Sequence, residues 1–146
     1  MPFHTEAHMG PQNEVAHSIA LYECRHTEQL QVGGGRLTRW FSTRRRRFVL
    51  DRLISGAGFS CFGSRIYCFS DLASDGYTYV MVIGQSSINI HTYPQDRTVS
   101  VWVVTCPGED DDGSATHRLE MILWGHFGAR SVKSGPIGNI PLRRAA

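Results

Sequence analysis

The sequence has no C-x-x-C pair. Its four cysteines, Cys24, Cys61, Cys68 and Cys106, lie far apart, which excludes a zinc ribbon and a thioredoxin-like redox site. No apolar run approaches the ~20 residues of a membrane-spanning helix. The first twenty residues are polar and hold no apolar stretch behind a basic start, so no secretory leader is expected and the cytoplasm is the expected compartment. Gly33, Gly34 and Gly35 lack the spacing of a phosphate-binding loop and read as a plain loop. Neither sign of charge dominates: 15 Lys and Arg face 13 Asp and Glu, for a net charge of +2 with 10% aromatics. That balance excludes an acidic or polybasic disordered chain. What is present is a chain of 146 residues, the length of one compact domain.

Residues 1–14, with Pro2, Gly10 and Pro11 among polar side chains, read as a flexible arm. His4 and His8 are four apart, a metal-binding spacing only on a helix. No further ligands accompany them, and no metal is expected. Residues 15–136 form the single predicted domain, and 137–146 a tail. His17 to Cys24 alternates as a strand does. Ser42 or Thr43 is predicted to cap a helix whose apolar stripe is Phe48, Leu50, Leu53 and Ile54, with Gly56 or Gly58 as its stop. Arg44 to Arg47 then sit near the helix's positive end, where they are unfavourable, and read as a solvated face.

Strands are predicted at Arg65–Phe69, Tyr77–Ile83, Ser87–Tyr93 and Val99–Cys106, joined by turns too short for parallel crossovers. In the third of these, Ile88 and Ile90 face one way and Ser87, Asn89 and His91 the other. The run Glu109 to Asp112 reads as solvated. Ser114 is expected to cap a helix to Phe127, with Leu119, Ile122, Leu123 and Phe127 on one side. A last strand spans Ala129–Ser134. The sum is an α+β fold: a two-layer sandwich with a mostly antiparallel sheet and helices on one face.

One stretch is chemically unusual. Ser86 stands at a strand-connecting turn, His91 follows five residues on, and Cys106 closes the next strand. A hairpin around Pro94 to Arg97 brings Ser86 and Cys106 to one edge, while His91 must reach back. By residue type alone this is a weak nucleophile-and-base signal.

The order and spacing are more specific. Gln85-Ser86-Ser87, then Ile90-His91-Thr92-Tyr93-Pro94-Gln95, then Val104-Thr105-Cys106-Pro107-Gly108 resemble the signature E-S-H-x-x-I-H-T-W-P-E followed further on by F-T-C-G. That signature belongs to the bacterial and archaeal S-adenosylmethionine decarboxylase proenzymes. Upstream, Tyr67-Cys68-Phe69 and Gly76-Tyr77-Thr78 resemble that family's H-x-F and G-x-S positions.

The resemblance implies a self-processing enzyme of polyamine (spermidine) biosynthesis, working as a homodimer. The serine hydroxyl attacks the preceding carbonyl, so the cut falls between Gln85 and Ser86 and leaves a covalent pyruvoyl group derived from Ser86. That carbonyl forms a Schiff base with the amino group of S-adenosylmethionine and acts as an electron sink. His91 is then the base for processing, Thr78 stands where the family has an assisting serine, and Cys106 is the acid that protonates the α-carbon. Phe69 is the expected stacking partner of adenine, with Tyr93 and Gln95 as further substrate-binding positions. Cys24, Cys61 and Cys68 are left as packing residues.

The chain departs from the signature at Gln85, Ser87, Tyr93, Gln95 and Trp102. Two alternatives therefore stay open: a decarboxylase of another amino acid such as arginine or ornithine, and a non-processing homologue that binds a ligand or partner. A polyanion-binding module around Arg44 to Arg47 ranks last, because the sequence shows no aromatic platform or second basic cluster beside it. Nucleic acid is accordingly not an expected partner.

Overall fold

The computed structural model describes residues 14–33, 35–69, 75–110 and 112–141; the expected arm, apart from residue 14, and the last five residues lie outside them. In chain order the elements are β1 (Glu14–Cys24), α1 (Arg36–Ala57), β2 (Gly63–Cys68), β3 (Tyr77–Ile83), β4 (Ser86–Tyr93), β5 (Thr98–Thr105), α2 (Ser114–Phe127) and β6 (Ala129–Pro141). The strands form one sheet in the order β2-β3-β4-β5-β1-β6. Every pairing is antiparallel. β2 to β5 follow one another as hairpins, while β1 is recruited from the far end of the chain to pair with both β5 and β6.

Alternation decides which side chains are buried. Tyr77, Tyr79, Met81 and Ile83 of β3, Ile88 and Ile90 of β4, and Val99, Val101 and Val103 of β5 form a buried cluster with Leu50, Ile54, Leu119, Leu123 and Phe127 of the helices. Among the described residues no helix covers the opposite face of the sheet. The buried tyrosines keep their hydroxyls satisfied: Tyr22 donates to the Glu120 carbonyl, Tyr77 to that of Gln29 and Tyr79 to the Asp51 carboxylate. Burial without those partners would cost about 1–3 kcal/mol each.

Three local expectations are corrected. α1 begins at Arg36, capped by the extended backbone of Gly35, not at Ser42 or Thr43. No breaker separates Arg36 from Ser42, so the helix runs back to the glycine loop. Arg44 to Arg47 therefore lie in its third turn, beyond the reach of the positive helix end. Phe48 is 60% exposed and leaves the predicted stripe, because it is about 200° around the helix from Leu50. The last strand continues beyond Ser134 to Pro141, where residues 138–141 pair with Glu14 to His17, so the tail expected from 137 begins later.

The helix ends explain the acidic run. α2 is preceded by Gly113, and its first N–H groups are taken by carboxylates: Asp110 accepts from Ala115 and Thr116, Asp112 from Ser114. These acids are caps at a positive helix end rather than a solvated run. In return, Arg118 of α2 donates to the Ala57 carbonyl at the carboxyl end of α1, locking the two helices together.

Candidate active site

β3 and β4 are joined by Gly84 and Gln85 alone, with Ile83 opposite Ser86. Gly84 has φ +68°, which favours glycine, and a Cβ there would lie 2.7 Å from Glu109 Oε1 and displace that carboxylate. Ser86 is the first residue of β4. Its side chain is on the helix-covered face and only 6% exposed.

The β4–β5 register places Ser87 opposite Val104, which carries Cys106 to the edge occupied by Ser86. The Cys106 backbone N–H donates to Ser86 Oγ at 2.9 Å. The same N–H is shared with Glu109 Oε2 at 3.1 Å, while Glu109 Oε1 accepts from the Gln85 N–H at 3.1 Å. The Cys106 thiol points to the Gln85 carbonyl oxygen at 3.8 Å. One carboxylate thus clamps both strands around the Gln85–Ser86 peptide bond. Sequence reasoning missed Glu109. The available signal was its position three residues after Cys106 across a Pro-Gly turn.

His91 and Thr78 form a second group. They face one another across the β3–β4 ladder, with Thr78 Oγ1 2.9 Å from His91 Nδ1. Partial burial holds the imidazole below its ordinary value, because the charged form loses hydration. Ser86 and His91 point to opposite faces. At about 3.3 Å per residue, their backbones are about 17 Å apart along β4. The reach back from His91 to its own Ser86 is not made.

The remaining expected positions belong to the His91 end. Tyr93 closes β4 and is exposed, and Gln95 is exposed in the short 3-10 turn Pro94–Asp96 that follows. Phe69 is exposed just beyond β2, its N–H bonded to the Gly76 carbonyl at the start of β3. Of the other thiols, Cys24 is buried in the core, Cys68 contacts Thr43, and Cys61 is exposed rather than packed. All four cysteines are free. Among the described residues no three His, Cys, Asp or Glu side chains gather as a metal site, and no helix is long and apolar enough to cross a membrane.

A six-stranded antiparallel sheet covered on one face, with a serine at a hairpin turn clamped against a cysteine on the next strand, defines an α+β class of small chains. Comparison with known proteins places the chain within that class. Residues 42–134 match the family described as S-adenosylmethionine decarboxylase, and the chain belongs to that family. Its fold is similar to the crystal structure of the adenosylmethionine decarboxylase from Aquifex aeolicus, with a TM-score of 0.64 at 18% identity, over 92% of this chain and 99% of the other. Among curated protein sequences none matches it.

Proposed function

We propose that the chain is a self-processing, pyruvoyl-dependent decarboxylase of S-adenosylmethionine that serves spermidine biosynthesis as a cytoplasmic homodimer. The observation that carries this reading is the Cys106 N–H on Ser86 Oγ at 2.9 Å with the Cys106 thiol beside the Gln85 carbonyl. In the first step Ser86 Oγ attacks the Gln85 carbonyl carbon, and the C–N bond to Ser86 gives way to an ester. The thiol is placed to donate to the oxygen as it gains charge, and Glu109 holds the turn in register. Loss of the Ser86 α-proton to a base then breaks the ester, and water releases the nitrogen as ammonia.

Ser86 suits this conversion, being shielded from solvent and hydrogen-bonded at the start of a rigid strand. Once converted, Ser86 would supply a carbonyl that draws electrons from the substrate as carbon dioxide leaves. Cys106 is the acid for the substrate α-carbon. Phe69 and Tyr93 offer exposed faces to adenine, and Gln95 offers an amide to the ribose hydroxyls.

Thr78 and His91 serve as processing groups in this reading, with His91 as the base. Since they cannot reach Ser86 of their own chain, they act on the Ser86 of a second copy. Two chains related by a two-fold axis with their strands opposed would set the His91 end of one against the Gln85–Ser86 turn of the other. Partly exposed Leu21, Val82 and Trp102 on the face that no helix covers support such packing.

Intact-mass measurement tests the reading. It should show two chains, residues 1–85 and 86–146, the second lacking a free amino terminus, together with release of carbon dioxide from carboxyl-labelled S-adenosylmethionine. An uncut, inactive chain that still binds S-adenosylmethionine would instead identify a non-processing homologue. Release from arginine or ornithine alone would move the activity to another substrate.

A further inference from the structure

Charge is unevenly distributed along this chain. α1 carries seven arginines and one acidic residue, Asp51, whereas the rest of the protein holds eight basic and twelve acidic side chains. Arg46 is consumed by the fold, donating to the carbonyls of Glu28 and Gln29. Arg36, Arg44 and Arg47 are exposed, and together with Arg65 of the edge strand β2 they line a groove of about 510 Å³ between α1 and β2. Among the described residues none of these four has an acidic partner. Like charges three apart on a helix repel, and among the described residues no acidic side chain offsets that cost here.

The groove also has aromatic walls. Trp40 from α1 and Tyr67 from β2 both line it, each 50% exposed. The Arg44 guanidinium lies 4.7 Å from the Trp40 ring centroid, which leaves both groups at the surface of the groove. The second basic element and the aromatic platform missing from the linear sequence are supplied by β2.

We propose that this groove binds single-stranded nucleic acid, with the arginines tracking phosphates and Trp40 and Tyr67 stacking on bases. A positive track interleaved with half-exposed aromatics is the arrangement that recognises a flexible polyanion with flat rings. A bilayer would take the outermost stripe of α1, where Leu37, Phe41 and Phe48 lie. The groove's aromatics come from two elements and alternate with its arginines, which suits a strand laid along it. Binding here is independent of cleavage at Ser86.

The probe is a fluorescein-labelled 15-nucleotide oligouridylate, titrated with the full chain and read by fluorescence anisotropy. Four phosphate contacts predict that affinity falls about fiftyfold between 50 and 200 mM KCl. The Arg44→Ala/Arg47→Ala variant should lose tenfold or more. Arg45→Ala/Arg52→Ala, which removes the same charge from the other side of the helix, should lose under threefold. Trp40→Ala should lose about tenfold, and Trp40→Phe should recover most of it. Should an α1 variant unfold, Arg65→Ala on the sheet still reports on the groove, with a loss of at least threefold. Absence of binding at 50 mM KCl, equal losses for the two double variants, or capture by phosphatidylglycerol vesicles without capture of the oligonucleotide would each overturn the proposal.

Discussion

The two ends of β4 are built on different principles. At its start, Ser86 is hidden on the helix-covered face and fixed by backbone N–H groups and one carboxylate, all within a few residues of two turns. At its finish, His91 lies on the open face and meets Thr78 only through the ladder register. The first end is a closed local device that holds a peptide bond in place. The second is an open surface where, among the described residues, His91 and Thr78 meet each other and not Ser86. The contrast teaches that residues five apart on one strand are held on different faces by different means.

The largest effect should separate the halves outright. Ser86→Ala should leave the chain uncut after days, whereas His91→Ala should slow cleavage about 10²–10⁴-fold, the usual worth of a positioned base. Mixing unfolded Ser86→Ala and His91→Ala chains and refolding them together should restore cleavage of the His91→Ala chain, because each mixed dimer holds one complete site. Mass spectra showing no rescue would return His91 to its own chain and dissolve the contrast.

Glu109→Ala should come next. It strips the acceptor from the Gln85 N–H and one of two from the Cys106 N–H. Processing should slow about tenfold, with about 1–3 kcal/mol lost in urea titrations. A variant that cuts at the normal rate would reduce Glu109 to a turn residue.

The pH profile sharpens the same comparison. If His91 is the processing base, its neutral form is the active one, and burial disfavours the charged form, so the folded value lies below the ordinary 6.5. The processing rate should therefore be flat from pH 8 to 7 and fall about tenfold per unit only below a midpoint under 6.5. A midpoint at or above 6.5 would mean that a different group limits the step. The smallest effect is reserved for Thr78: Thr78→Ser should stay within about twofold, because the hydroxyl that meets His91 Nδ1 is kept. Thr78→Val should slow cleavage several-fold, since removing one neutral hydrogen bond costs about 1 kcal/mol.

Much of this was legible in the residues. The alternation of Tyr77–Ile83 reappears with the bounds read from pattern, the second helix runs to Phe127 as expected but with Gly113 rather than Ser114 as its cap, and the Pro94 to Arg97 turn does bring Ser86 to Cys106. These features are local, set by side-chain period and turn residues. Reading failed where backbone caps and later neighbours, rather than side-chain type, set the outcome. Gly35, not a Ser or Thr side chain, starts α1, and Asp110 is held as a cap because α2 begins just beyond it. Glu109 escaped notice because the partners that give it meaning are the Gln85 N–H, reached across the sheet, and a cysteine N–H already bonded to Ser86.

The sequence alone determined the antiparallel hairpins and the Ser86, His91 and Cys106 spacing that marks the family. Alternation and turn length act over a few residues, and a motif survives as text. Tertiary structure decided everything that depends on faces and neighbours. It buried Ser86 against the helices while leaving His91 on the far face, made Glu109 a clamp, and set β2 beside α1 so that arginines of both elements and two aromatics share one groove. The physical reason is common to all three: strand order and pleat direction fix which side chains meet, and both are set by packing between segments far apart in the chain.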